Sequence, residues 1–136
     1  MYDDGSAESS QSWETGKGFA LCVNRPFTPA RVVGAGFCLL SPAPIQVHVW
    51  DESGRDLIAP FVAHPTGDGF FRVDLTDRGL VIADMAFYVG FTYTVDYQPD
   101  IQVDLDPPFG QHYEVDGAYF EKKTNGNFLI WAFVQY

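Results

Sequence analysis

The stretch that most constrains the fold covers residues 84–95, because bulky apolar residues occupy every second position along it. The positions between them carry small or hydroxyl-bearing side chains. A repeat of two is typical of a β-strand with one buried face, since successive side chains of a strand point to opposite sides of the sheet. The bulky set is Met85, Phe87, Val89, Phe91 and Tyr93, and the other set is Ala86, Tyr88, Gly90, Thr92 and Thr94. We therefore predict a central strand whose bulky row faces the core.

Shorter runs elsewhere show the same alternation, and no window sustains the 3.6-residue repeat of an amphipathic helix. The clearest run places Ile45, Val47 and Val49 inward and Gln46, His48 and Trp50 outward. Strands are predicted over residues 17–23, 30–40, 45–50, 57–63, 70–75, 80–83, 101–103, 112–115, 118–122 and 128–134, with an edge strand at Tyr2 and a polar loop over 3–18. The 13 Gly and 9 Pro supply the turns between them. We predict one all-β domain over residues 1–136, a two-sheet antiparallel β-sandwich that is jelly-roll-like.

The formal net charge of −10 bears on partners. Binding to phosphate backbones or to anionic membranes needs clustered Lys and Arg, and acidic residues outnumber basic ones by 18 to 8. No apolar run reaches the length of a membrane span, and the first residues lack the pattern of a signal peptide. We expect no nucleic-acid partner and no membrane insertion. The first residues, Met followed by Tyr-Asp-Asp-Gly, suggest a domain boundary, so we expect the chain to be excised from a larger protein.

The two cysteines, Cys22 and Cys38, lie in neighbouring predicted strands. Alternation indicates that both point to the same side, away from the core. A disulfide between them would stabilise the fold by about 3 kcal/mol by the loop-entropy argument. The sequence leaves the disulfide open, and we expect two packed thiols.

The residue types of known active sites occur without the spacing that catalysis needs. His48, His64 and His112 are far apart, so no His-x-His pair of a cupin metal centre is present, and each is interpreted as a surface or hydrogen-bonded histidine. The sequence contains no Cys-x-x-Cys pair of a zinc site and no Gly-x-Ser-x-Gly turn of a hydrolase. It also contains neither Gly-x-Gly-x-x-Gly nor Gly-x-x-x-x-Gly-Lys, the glycine patterns of phosphate-binding loops. We expect no enzyme, although a triad assembled in space stays open.

Four segments in order carry a resemblance to a known class of domain: residues 2–8, 45–51, 87–91 and 126–132. Together they resemble the jelly-roll β-sandwich accessory modules of secreted peptidases and cell-surface proteins of bacteria and archaea, and the similarity covers almost the whole chain. The resemblance implies a non-catalytic, extracellular accessory or interaction domain. Its partners would be other domains of a parent protein, a surface protein or a glycan.

A carbohydrate-binding module is the alternative function, because aromatic rings on an outer sheet face can stack on sugar rings. The candidate residues are Trp50, Tyr88 and Trp131. Aromatic residues are also ordinary strand formers, so the pattern by itself does not separate binding from structure. A small jelly-roll enzyme is the third interpretation.

The acidic segment after residue 95 is the candidate for a metal site. Asp100, Asp104 and Asp106 lie in a Pro-containing loop, and Asp3, Asp4 and Glu8 lie near the start. Convergent carboxylates suit Ca²⁺, which takes six to eight oxygen ligands in a flexible shell. The alternative is that they are solvated turn residues and no cofactor is bound, because Asp is a good turn former.

Overall fold

The computed structural model describes residues 9–11, 13–24, 30–65, 69–82, 86–99, 101–104, 112–117, 119–122 and 127–135. Within these ranges the chain forms thirteen β-strands. They are β1 (Ser9–Gln11), β2 (Lys17–Asn24), β3 (Ala30–Leu39), β4 (Ile45–Asp51), β5 (Phe61–Ala63), β6 (Gly69–Asp74), β7 (Val81–Ile82), β8 (Ala86–Tyr93), β9 (Ile101–Asp104), β10 (His112–Asp116), β11 (Tyr119–Lys122), β12 (Asn127–Phe128) and β13 (Ile130–Gln135).

Two antiparallel sheets hold these strands, so the predicted all-β sandwich is confirmed. The six-stranded sheet has the order β11-β10-β2-β8-β4-β5. The seven-stranded sheet contains the path β1-β9-β3-β13, and β3 also pairs with β6 and β7, while β12 pairs with β9. The helical content of the described residues is one 3₁₀ turn, Thr76–Arg78, and no helix there is long and apolar enough to cross a membrane.

The core lies between the sheets, and β8 supplies its centre as predicted. Phe87, Val89, Phe91 and Tyr93 are buried, while Met85 lies outside the described residues. The ring of Phe91 meets that of Phe37 on β3 at 5.4 Å between centroids, which joins the two sheets. The inward set Ile45, Val47 and Val49 of β4 is also fully buried, so the period-two assignment is correct for both strands.

The observed strands differ from the predicted ones where a segment without alternating apolar side chains forms a strand through its backbone hydrogen bonds. β1 lies inside the segment predicted as a loop, and it pairs with β9 at a sheet edge. An edge pair is made by backbone hydrogen bonds, so a Ser-Ser-Gln sequence can form it. The predicted strand at Tyr2 lies outside the described residues. β5 begins after Pro60 and pairs with β4 alone among the described strands, which confirms that it is an edge strand.

Cys22 and Cys38 are thiols, and no disulfide joins them. Cys22 lies on β2 of the six-stranded sheet and Cys38 on β3 of the seven-stranded sheet. Cys22 alternates with Leu21 and Val23, which pack against the core, and Cys38 alternates with the buried Phe37 and Leu39. The two thiols therefore face outward as predicted, but on opposite sides of the sandwich rather than on the same side, and they cannot reach each other. Burial raises the pKa of the Cys38 thiol.

Candidate functional site

An exposed group of rings lies on the outer face of the seven-stranded sheet. We call Phe70, Arg72, Trp131 and Phe133 the aromatic platform. The rings of Phe70 and Trp131 meet edge to face with centroids 5.2 Å apart, and Phe70 meets Phe133 at 6.5 Å. The guanidinium carbon of Arg72 lies 4.2 Å from the centre of the Phe133 ring, a cation–π contact. The platform is therefore held together by its own members.

The register of β3 explains why these side chains meet. Gly36 on β3 pairs with Arg72 on β6 on one side and with Trp131 on β13 on the other. A side-chain carbon built on Gly36 would come within 2.7 Å of the Phe70 ring and 3.3 Å of the Phe133 ring. The rings therefore lie over a strand position that has no side chain, which lets residues from two flanking strands approach each other.

The platform is open to solvent. Phe70 is 56 % exposed and Trp131 is 41 % exposed. Adjacent exposed rings leave apolar surface in water unless a partner covers it, and such patches mark interaction sites more often than single exposed residues do. Trp131 was predicted as an outward aromatic from its alternation. Phe70 and Phe133 were not, because their closeness to Trp131 depends on strand pairing.

The outer face of the six-stranded sheet is strongly curled. The ring of Phe120 on β11 meets the ring of Trp50 on β4 edge to face at 5.1 Å. In a flat sheet these strands, four positions apart, would be about 19 Å from each other. Gly18 and Gly90 lie between them, and a side-chain carbon on either would overlap a carbonyl oxygen of the neighbouring strand. The close approach of β2 and β8 thus accompanies a concave outer face.

Curling covers two of the predicted binding residues. Trp50 points outward as predicted, but it is 3 % exposed because it packs with Ala20, Val115 and the Phe120 ring. Tyr88 packs against Tyr113 and Phe120, with centroids 5.2 and 4.7 Å away, and burial raises the pKa of its phenol to about 12. The expectation that Trp50 offers an open stacking ring is therefore wrong. Trp131 lies on the opposite sheet, so the structure does not bring the three residues together.

A chain of hydrogen bonds crosses the same concave face beside Trp50. His48 Nδ1 lies 2.8 Å from Asp56 Oδ1, and His48 Nε2 lies 2.9 Å from Thr92 Oγ1. The imidazole stacks on the Trp50 indole at 4.6 Å with an interplanar angle of 6°. Thr92 Oγ1 is also 3.4 Å from Gln46 Oε1, on the paired position of β4. Both ring nitrogens of His48 are bonded, which confirms its interpretation as a hydrogen-bonded histidine.

These residues line a cleft of about 330 Å³, which we call the His48 cleft. Its polar lining is Gln46, His48, Asp56 and Thr92, with Trp50 beside them. The remaining lining positions are Gly16, Gly54 and Gly117, so the cleft is bordered by three residues without side chains. The sequence showed Gln46, His48 and Trp50 on one face. It did not show Asp56, which reaches His48 from the connection after β4.

Carboxylate, imidazole and hydroxyl in this order also form the triad of serine-type hydrolases. Catalysis by that arrangement requires the hydroxyl to reach a substrate carbonyl, next to donors for the developing oxyanion. Thr92 is 7 % exposed and lies in the middle of the sheet on β8, paired on both sides with β2 and β4. Its hydroxyl contacts His48, and the hydrogen bonds from Asp56 to Thr92 orient the polar lining of the cleft.

The predicted metal site falls mostly beyond the described part of the chain. Asp100, Asp106, Asp3, Asp4 and Glu8 lie outside the described residues, and Asp104 is placed by its backbone, which pairs with Asn127. Among the described residues, no group of three or more His, Cys, Asp or Glu is arranged to hold a metal ion. A Ca²⁺ site at 100–106 stays a prediction. Equal melting midpoints in excess Ca²⁺ and in EDTA would contradict it.

Comparisons with known proteins show the fold. No protein-family model matches the sequence, and no curated protein matches it. The structure is similar to the crystal structure of the cysteine protease and lectin-like domains of Cwp84, a surface layer associated protein of Clostridium difficile, with a TM-score of 0.62 and 15 % sequence identity. The match covers 90 % of this chain and 32 % of that one, so the chain spans about a third of the length of that structure. At this identity the likeness shows a shared β-sandwich fold.

Proposed function

We propose that this chain is a non-catalytic accessory domain of a larger surface or secreted protein and that it binds carbohydrate with the aromatic platform. The observation that carries the proposal is the exposed pair of rings, Phe70 and Trp131, 5.2 Å apart on one sheet face. The apolar face of a pyranose ring carries C–H groups that pack against aromatic rings. Two neighbouring rings set edge to face would contact a sugar from two directions.

The platform's surroundings favour a neutral polysaccharide. Arg72 is occupied by its contact with the Phe133 ring, and the net charge of the chain is −10. An anionic polymer would be repelled at long range, and this repulsion would weaken with added salt. A neutral glycan avoids that cost and gains the burial of apolar ring surface, at about 25 cal/mol per Å² of area removed from water.

The similarity to a structure that includes a lectin-like domain supports the ligand class. That structure belongs to a surface layer associated protein and also holds a cysteine protease domain. The described part of this chain has no α-helix, so the lectin-like part is the natural counterpart of an all-β chain. The same comparison supports an extracellular location and a place beside other domains. Those domains, or a surface protein, are the partners expected if no glycan binds.

The direct test is binding to a glycan array and to insoluble polysaccharides. The wild-type domain is expected to bind at least one neutral glycan, and Trp131→Ala and Phe70→Ala are each expected to weaken that binding at least tenfold, or about 1.4 kcal/mol. Tyr119→Ala is the matched control, because Tyr119 is also an exposed aromatic residue and lies on β11 of the other sheet. Trp50→Ala is not a suitable test of binding, since removing a buried tryptophan side chain would disturb folding.

Two outcomes would overturn the proposal. Binding to no glycan would return the interpretation to a protein-interaction domain. Binding that Trp131→Ala and Phe70→Ala leave unchanged would place the ligand elsewhere. The proposal that the domain is non-catalytic is tested separately by assaying hydrolysis of a p-nitrophenyl ester. Hydrolysis by the wild type that Thr92→Val abolishes would show that the chain is an enzyme.

A further inference from the structure

We infer that the His48 cleft is a second binding site, which takes one neutral sugar ring by hydrogen bonding. The inference rests on the proposed function for its ligand class, but it concerns a different surface and different residues. The platform offers stacking to a polymer on the seven-stranded sheet. The cleft offers directed donors and acceptors on the six-stranded sheet.

The first step is the direction of the hydrogen bonds. An ionised carboxylate can only accept, so His48 Nδ1 donates to Asp56 Oδ1 across 2.8 Å. With a neutral imidazole, Nε2 then accepts, and the Thr92 hydroxyl donates to it across 2.9 Å. That hydroxyl has one proton, so it is not available for Gln46 Oε1, which lies at the longer distance of 3.4 Å. With the imidazole neutral, the amide group of Gln46 is thus not committed to Thr92.

The second step is what remains for a ligand. Asp56 uses one oxygen for His48, and its side chain is 42 % exposed, so its other oxygen can accept from a ligand. The amide of Gln46 offers both an acceptor and two donor protons. Asp56 contacts one nitrogen of the imidazole, and Gln46 lies beyond Thr92, which contacts the other nitrogen. The cleft therefore has a hydrogen-bond acceptor, the Asp56 carboxylate, at one end, and the Gln46 amide, which can both donate and accept, at the other.

The third step excludes other ligand classes. An ammonium ion carries donors alone, so it could pair with Asp56 but would offer no acceptor to the amide protons of the half-buried Gln46. An anionic ligand would meet the Asp56 carboxylate. Hydroxyl groups both donate and accept, so a ring with hydroxyls at both ends satisfies Gln46 and Asp56 together.

The shape of the cleft supports the same ligand. Its volume of about 330 Å³ lies at the small end of ligand pockets, as expected for one ring rather than a chain. The three glycines on the border add no side chains to it. The stack of His48 on Trp50 and the bonds at both imidazole nitrogens fix the central wall before a ligand arrives. Such preorganisation lowers the entropy cost of binding.

The experiment is a titration of the isotope-labelled domain with glucose, galactose, mannose and N-acetylglucosamine, followed by ¹H–¹⁵N NMR. Gln46 has a side-chain NH₂ signal and Trp50 an indole N–H signal. At least one sugar is expected to shift both with a saturable, millimolar profile, while the indole signal of Trp131 stays in place. Glucuronic acid is expected to cause no such shift, because the Asp56 carboxylate repels it.

Variants make the assignment specific. Asp56→Asn and Gln46→Ala are each expected to lower the affinity for the sugar at least tenfold. The Asp56 side chain is 42 % exposed, so the Asp56→Asn variant is expected to fold. Asp77→Asn makes the same charge change on the surface at the 3₁₀ turn and is expected to leave the affinity unchanged. No saturable shift of Gln46 and Trp50 with any of the four sugars would overturn the inference. Wild-type affinity for the sugar in both Asp56→Asn and Gln46→Ala would also overturn the inference. Neither result depends on Trp131, so polymer binding at the platform is judged separately.

Discussion

At the scale of the residue, Phe91 shows how one side chain links both sheets. Its ring lies 5.4 Å from Phe37 on the seven-stranded sheet, and 6.1 and 5.3 Å from Phe19 and Tyr93 on its own sheet. All of these contacts are edge to face, the arrangement that aromatic pairs favour. Phe91 has no exposed surface, so truncating it leaves a cavity instead of a hydrated site.

We predict that Phe91→Ala lowers the free energy of unfolding by about 3–5 kcal/mol, the sum of lost transfer energy and cavity formation. Urea denaturation monitored by tryptophan fluorescence measures this. Phe70→Ala removes the same atoms from an exposed ring and is expected to change stability by less than about 1 kcal/mol. A loss below about 1 kcal/mol for Phe91→Ala would contradict the assignment of the inward face.

His112 gives a second residue-scale prediction, because burial lowers the pKa of its imidazole below the ordinary value of 6.5. In the unfolded chain the imidazole binds a proton more readily than in the fold. Stability is therefore complete above pH 6.5 and is lost as the pH falls from 6.5 toward the folded pKa. His112→Gln is expected to flatten the decline in the free energy of unfolding between about pH 7 and about pH 5. Parallel declines in both proteins would contradict this.

At the scale of the element, Gly36 and Gly90 differ in what a side chain would disturb: a ring of the platform at Gly36, and the pairing of two strands at Gly90. A side-chain carbon on Gly36 would meet the far ring atoms of Phe70, and a side chain can move aside. The same carbon on Gly90 would overlap the carbonyl oxygen of Phe19 on the paired strand. Backbone cannot move aside without opening the β2–β8 ladder.

We predict that Gly36→Ala weakens glycan binding at the platform severalfold by displacing the Phe70 ring, and costs less than about 1 kcal/mol in stability. Gly90→Ala is expected to cost about 2 kcal/mol or more, because it forces strands of the core sheet apart. Glycan affinity and urea denaturation, measured on both variants, separate the two effects. A Gly36→Ala protein with wild-type affinity would show that the ring position does not matter.

At the scale of the whole molecule, the platform and the His48 cleft lie on opposite outer faces of the sandwich. The two sheets and the core between them separate these faces by more than the packing distance of about 10 Å. Sites that far apart, with no shared side chain, contribute independently. The domain would therefore engage a glycan chain with one face and a single sugar residue with the other.

We predict that Trp131→Ala leaves the affinity of the cleft for a monosaccharide within about twofold of wild type. Gln46→Ala should likewise leave polymer binding at the platform unchanged. NMR titration and polysaccharide binding on the same two variants measure both effects. A tenfold change in the opposite site would show that the faces are coupled.

The sequence by itself determined the class of fold, the inward row of β8 and β4, and the outward direction of Trp50 and Trp131. These properties follow from the two-residue repeat of a strand, which is a local property of the backbone. The tertiary structure decided which outward rings are exposed. Phe120 covers Trp50 because the six-stranded sheet curls, and Phe70 joins Trp131 because β6 and β13 flank the same glycine. Asp56 reaches His48 because the connection after β4 folds back on the strand, with a bridge between Trp50 and Asp56. Register and curvature depend on contacts between distant segments, so alternation along one strand does not contain them.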